Sequence, residues 1–273
     1  MGLTGKDLRM ARFLNDGENA VIAAADHGFY YGPIDGLEDL PRAVERVKDA
    51  DGILITPGML ERCGAVFTGR NRPLLVLRLS WVSSYGGQWG YSKSLQSDLM
   101  MPQDALAMGA DVGITSCTLN SGDERTDADN IRQYAQFVRR GRQCGLPIVG
   151  EFYPGHIDEG PREQLQSEVA TVCRIISEIG ADAIKTFYTG KKFGEIVAST
   201  PTPILVLGSG KTATELESLQ QAYDAVNAGA RGVFFGRNVM QAKDPRKFLG
   251  ALKAVVKQGV QPTAAAREFE LDT

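Results

Sequence analysis

The chain has 273 residues, 43% of them hydrophobic and 31 of them glycine, enough to bury one large core. Against 33 Asp and Glu stand 30 Lys and Arg, a formal charge of −3 with no dense basic block, which argues against nucleic acid as a partner. Apolar runs are broken within about ten residues by Asp, Lys, Arg or Gly, and the start Met1-Gly2-Leu3-Thr4-Gly5-Lys6-Asp7 has no signal-peptide pattern, so no membrane partner and a cytoplasmic location are expected.

In chain order, residues 5–15 read as a short amphipathic lead-in. Residues 20–28, Ala20-Val21-Ile22-Ala23-Ala24-Ala25-Asp26-His27-Gly28, form an apolar strand that ends in polar groups. Residues 37–50 have helical period, with Leu40, Val44 and Val47 on one side. A second buried strand covers 52–58 and a short helix starts near Met59. A third strand covers 73–81.

The pattern then pauses. Residues 82–100 read as a long Gly/Ser loop carrying Tyr85, Trp89 and Tyr91, and loops of this length in compact domains are usually functional. A short helix at 102–108 leads to a strand at 111–117, a helix at 128–144 and a strand at 147–153. A helix at 161–179 begins with Pro161 at a favoured first position.

The strand after Gly180 carries a lysine in an apolar run, Ala181-Asp182-Ala183-Ile184-Lys185-Thr186-Phe187. Alternation puts Ala181, Ala183, Lys185 and Phe187 on one face. A buried ammonium is costly unless it is paired or neutralised, and a desolvated lysine is a nucleophile toward ketones. Its ordinary alternative is a strand-end lysine in water or in an ion pair.

Another amphipathic helix follows, then a strand at 203–208. Thr212 and Glu215 read as a capping box opening a helix to Ala228. A strand at 231–236 precedes a helix from Asp244-Pro245 to about Lys257. Eight strand-then-helix units predict a single (β/α)8 barrel of the α/β class spanning residues 1–273. The alternative, a doubly wound open sheet, would normally carry a Gly-rich dinucleotide turn after its first strand, and Asp26-His27-Gly28 is not that turn.

Active sites of such barrels lie at the carboxyl ends of the strands. Those ends hold Asp26 and His27, Thr56, Arg78 and Ser80, Glu151 and Tyr153, and Lys185. Asp26, Tyr153 and Lys185 share the parity that can face the barrel mouth. An amine, an acid and a phenol suit imine chemistry with proton transfer in both directions.

The last two loops add an anion signal. Gly208, Ser209, Gly210 and Lys211 precede a helix, and Gly236 and Arg237 follow the eighth strand, the usual phosphate seat of this architecture. Gly210-Lys211-Thr212 also mimics the end of a P-loop, but the required first glycine is replaced by Leu205. Cys63, Cys117, Cys144 and Cys173 lack CxxC spacing and suit reduced thiols. With His27 and His156 the only histidines, no metal and no dissociable cofactor are expected.

Together, Ala25-Asp26-His27-Gly28, Glu151-Phe152-Tyr153-Pro154, Ile184-Lys185-Thr186-Phe187-Tyr188, Gly208-Ser209-Gly210-Lys211 and Gly236-Arg237-Asn238 resemble the metal-independent class I aldolases of the DhnA/DeoC/LacD superfamily. The likeness is strongest to archaeal-type fructose-bisphosphate aldolases and aminodideoxyheptulosonate synthases. It implies Lys185 as the Schiff-base lysine, Tyr153 as the acid/base of the carbon–carbon step and Asp26 as the helper in carbinolamine dehydration. It also implies a substrate such as dihydroxyacetone phosphate or a phosphorylated ketose, and a homo-oligomer.

Glu151 departs from the family pattern, where an aromatic or apolar residue is common. It has three readings: an ion pair with Lys185, selection of an amino-bearing acceptor, or proton transfer, while His27 is a further candidate for substrate contact. Two competing functions stand beside the aldolase, a thiolase-like or transaldolase-type transferase and a non-catalytic phosphate-binding barrel with an ion-paired Lys185.

Overall fold

The computed structural model describes residues 4–15, 17–85, 89–91, 93–152 and 162–272. Eight parallel strands close into a barrel. They are β1 (Ala20–Ala24), β2 (Gly52–Ile55), β3 (Leu74–Arg78), β4 (Val112–Ser116), β5 (Ile148–Glu151), β6 (Ala183–Phe187), β7 (Ile204–Leu207) and β8 (Gly232–Phe235). Each pairs with the next in chain order, and β8 pairs with β1. The chain therefore forms the (β/α)8 barrel expected from its eight strand-helix units.

All eight strands are buried along their whole length, as expected where helices cover the outside and side chains fill the inside. The inner core takes every second residue, among them Ile22, Ala24, Leu54, Val76, Ile114, Val149, Ala183, Leu205 and Phe234. The bottom of this core is closed by the helix Gly5–Phe13, whose Phe13 is 2% exposed and stands 6.3 Å, ring to ring, from Phe234. Ala183 belongs to the inner core, whereas Ala181 and Phe187, near the ends of the β6 segment, pack into the outer layer. The expected single face of four thus narrows to Ala183 and Lys185.

Two expectations are corrected. Residues 82–100 are not all loop: Gln96–Asp98 pairs antiparallel with Ser80–Val82, and Ser83–Tyr85 forms a 3-10 turn. Three-residue strands are too short to show a period. The helix expected from Thr212 starts later, as Glu215–Asn227, with Thr214 as its cap: the Thr214 hydroxyl accepts from Glu217 N, and the Glu217 carboxylate accepts from Ala213 N. Thr212 and Thr214 each have a glutamate three residues on, and Thr212 is engaged elsewhere.

The described cysteines are free, and burial pushes the Cys117 and Cys173 thiols up to about 12. Among the described residues no helix is long and apolar enough to cross a membrane.

Truncating Phe13 to Ala is expected to cost about 3–5 kcal/mol in urea unfolding, the range for removing a buried aromatic ring. A loss below about 1 kcal/mol would show that the N-terminal helix is not part of the barrel core.

Candidate active site

Register, which alternation alone does not reveal, explains why the charged groups meet. Glu151 on β5 lies directly beside Lys185 on β6, and Ser116 on β4 directly beside Glu151. Glu151 and Lys185 are two residues beyond the inner-core residues Val149 and Ala183, so their side chains enter the barrel mouth one strand spacing apart. Lys185 Nζ is 2.6 Å from Glu151 Oε1. Arg78, the last residue of β3, is paired in register with Ile114, one inner layer below Ser116 and Glu151. Its long side chain spans the difference and is only 1% exposed.

Arg78 joins the two acids. Its Nη1 donates to Glu151 Oε2 at 2.5 Å, while Nε and Nη2 both donate to Asp26 Oδ2, at 3.0 and 2.6 Å. The Ser116 hydroxyl also reaches Glu151 Oε2, at 3.4 Å. Burial by itself raises both carboxyls, but Arg78 and Lys185 outweigh it and hold Asp26 and Glu151 below the usual carboxylate range. The result is a chain of alternating charge, Asp26, Arg78, Glu151, Lys185, across the barrel mouth. Lys185 is 7% exposed, and its Nζ also lies 5.4 Å from the centre of the Phe234 ring.

These groups line a small pocket at the barrel mouth that opens to solvent. On one side stand Tyr30 and Tyr85, with the Tyr30 ring 5.6 Å from the Arg78 guanidinium carbon. Burial pushes both phenols well above their ordinary value, so they remain protonated. On the other side are Gly208, Ser209, Gly236 and Arg237.

The loops after β7 and β8 are tied together by Asn238, which is fully buried. Its amide donates to Gly208 O at 2.8 Å and Gly210 O at 3.1 Å, and its Oδ1 accepts from Thr212 N at 2.9 Å. Arg237 Nη2 donates to Ser209 O at 3.0 Å, and its Nε is buried with no partner among the described residues. Ser209 has a φ of 55°, a left-handed conformation uncommon for a side-chain-bearing residue, at the point where the loop turns past the cavity. Gly236 is required for a different reason: a Cβ there would stand 2.0 Å from His27 Cε1.

His27 lies between the charged chain and these loops. Burial pushes its imidazole down to about 4; Asp26 opposes that and Lys185 and Arg237 add to it. Its Nδ1 is 3.9 Å from Asp26 Oδ1, beyond hydrogen-bond distance.

Of the residues singled out from sequence, Asp26, His27, Glu151, Lys185, Gly208, Ser209, Gly236 and Arg237 share one cavity. Gly210 and Lys211 are exposed and do not line it. Tyr153 lies outside the described residues. Arg78, Asn238, Tyr30 and Ser116 had no role assigned from sequence. Arg78 is signalled by its charge at an inward position on a strand, and Asn238 stands in the same short motif as Gly236 and Arg237. Among the described residues no cluster of three His, Cys, Asp or Glu side chains is arranged to hold a metal ion.

The sequence model of the DeoC/LacD family aldolases matches residues 20–242. The chain belongs to this family and is an enzyme of the class I aldolase type, a lyase. It is 30% identical over 263 residues to an uncharacterized aldolase of Saccharolobus solfataricus, covering 94% of this chain and 96% of that one. It is 33% identical over 273 residues to the 3-hydroxy-5-phosphonooxypentane-2,4-dione thiolase of Salmonella typhimurium, covering 98% and 86%. Among solved structures, an archaeal fructose 1,6-bisphosphate aldolase superposes with a TM-score of 0.79 at 27% identity, covering 93% of this chain and 99% of that one. A Schiff-base-forming fructose-1,6-bisphosphate aldolase gives 0.78 at 27% identity, covering 93% and 100%.

Because folded His27 protonates near 4 and an unfolded histidine near about 6.5, the unfolded chain binds more protons between those values. The stability that neutral His27 contributes is full above about pH 6.5 and is lost as pH falls toward about 4. An NMR titration is expected to show one imidazole protonating near 4; ordinary midpoints for both histidines would contradict the half-buried, neutral placement of His27.

Proposed function

We propose that the protein forms a Schiff base between Lys185 and a phosphorylated ketone and uses it to break or form the adjacent carbon–carbon bond. The observation that carries this reading is the single cavity holding the Lys185 nitrogen at one side and Gly208, Ser209, Gly236 and Arg237 at the other. The unpartnered Arg237 Nε and the loop backbone suit a phosphate dianion, and anchoring the phosphate presents the ketone carbon to Lys185.

Lys185 Nζ adds to the carbonyl carbon, and the oxygen leaves as water. The protonated imine then draws the electrons of the C3–C4 bond toward nitrogen, giving an enamine and an aldehyde, or runs the same steps backward. Asp26 handles protons at the carbinolamine. By the family resemblance Tyr153 takes the hydroxyl proton as the aldehyde forms, which the reverse reaction returns.

The substrate favoured first is a phosphorylated ketose with dihydroxyacetone phosphate as the donor fragment, in keeping with the archaeal fructose-bisphosphate aldolases. A second reading has a specific basis: the 33% identity over 98% of the chain to a thiolase supports transfer of the cleaved fragment to a thiol acceptor. An amino-acid semialdehyde acceptor is less well supported, since Glu151, the group suited to an amino substituent, has one oxygen on Lys185 and the other on Arg78.

Borohydride treatment with dihydroxyacetone phosphate is expected to leave a reduced adduct on the peptide containing Lys185, and none after Lys185→Met. An adduct on another lysine, or none with any phosphorylated ketone tested, would contradict the reading. Coenzyme A added to a cleavage assay with a phosphorylated diketone separates the two outcomes, because only the thiolase reading yields an acyl thioester. Arg237→Met is expected to raise KM for the phosphorylated donor by about 10- to 100-fold, the range for losing a hydrogen bond to a charged group, with a smaller change in kcat.

A further inference from the structure

The two acids of the site are not equivalent. Both oxygens of Glu151 are taken, Oε1 by Lys185 and Oε2 by Arg78 with the Ser116 hydroxyl behind it. Asp26 receives both of its Arg78 hydrogen bonds on Oδ2, which leaves Oδ1 toward His27. With a cation on each of its two oxygens Glu151 stays ionised, whereas Asp26 has a cation on one oxygen only and keeps the other for a proton.

The proton count of imine formation makes this difference matter. An ammonium and a ketone give a protonated imine and water: two of the three nitrogen protons leave with the oxygen, and one stays. The nitrogen therefore carries one positive charge at the start and one at the end. A group beside it that holds its negative charge matches both states. The two departing protons need a different acceptor, one with an oxygen to spare.

Resting on the Schiff-base reading above, we propose that Glu151, held by Arg78, is the standing counter-ion of the Lys185 nitrogen, accepting the one N–H that survives into the imine. In the same arrangement Arg78 is the positioning residue that leaves Asp26 to carry the protons departing with the ketone oxygen. A cationic imine is the stronger electron sink, so Glu151 acts on the carbon–carbon step more than on attack. In the resting enzyme it works the other way, since the ion pair holds back the lone pair that must add to the ketone.

This opposition gives a test that a merely structural ion pair fails. The protein and its variants are incubated with dihydroxyacetone phosphate and borohydride across a range of pH, and adduct and turnover are measured separately. In Glu151→Gln the acid limb of the trapping curve is expected to move about one unit or more toward low pH, because the ammonium has lost its partner. Turnover is expected to fall about 100-fold, as less of the imine is held in the cationic form that serves as the electron sink. Glu151→Asp keeps the charge and is expected to keep the wild-type limb. The other groups facing Lys185 are the same in both variants: Arg78 from β3, Asp26 and His27 after β1, Arg237 after β8, and the phenols of Tyr30 and Tyr85.

Arg78→Lys replaces a fork with a point charge that cannot serve two carboxylates. It is expected to introduce a new acid limb in kcat as the released carboxylates begin to protonate. Coincident trapping curves for the Gln and Asp variants, or adduct and turnover falling by the same factor, would overturn the counter-ion role.

In wild-type protein carrying [15N]lysine, the imine nitrogen is expected to stay protonated from about pH 5 to about pH 9, and a neutral imine signal in that range would also overturn it. No Lys185 adduct in the wild type would instead remove the Schiff-base reading and this inference with it.

Discussion

The Arg78 guanidinium holds the site together. It is almost wholly buried at the end of β3, and it bridges Asp26 from one side of the barrel mouth and Glu151 from the other. Without it two carboxylates would face one lysine in a space mostly withdrawn from water, and unpaired buried charge is strongly destabilising. With it, four charged groups alternate in sign and nearly cancel. The barrel wall below is alanine, valine, leucine and isoleucine with Phe234, so the polar layer sits on an apolar floor that Phe13 closes from beneath.

The part of the cavity formed by the loops after β7 and β8 is built separately and by different means. It needs few charges: Arg237 lies beside loops pinned by the buried Asn238 amide. Gly236 lets the end of β8 pass against His27, and neutral His27 adds no charge between those loops and the Lys185 nitrogen. One end of the cavity therefore carries the carboxylates and Lys185, and the other carries Arg237 with the backbone of the two loops, the division on which the proposed reading rests.

Much of this was legible in the sequence, and the exceptions have physical reasons. The eight strand-helix units and the inward parity of Asp26 and Lys185 follow from alternation and strand ends. Register does not, so the contact of Glu151 with Lys185 stood as one of three readings and the reach of Arg78 to both acids went unread. Lys211 was singled out from the place of its loop after β7; it is exposed and outside the cavity lining, where the loop turns at Ser209 and Asn238 binds the carbonyls of Gly208 and Gly210. Thr212 looked like a helix cap for the same kind of local reason, and Thr214 holds that role since Thr212 N is bound to Asn238. Short-range pattern located the residues, and long-range hydrogen bonds decided their partners.

The most direct test of the account is a crystal structure of the protein reduced with borohydride in the presence of dihydroxyacetone phosphate. The account predicts continuous density from Lys185 Nζ to the former ketone carbon. It also predicts the phosphate against Gly208, Ser209, Gly236 and Arg237, with the nitrogen still on Glu151. Density on another lysine, or a phosphate outside that seat, would contradict it.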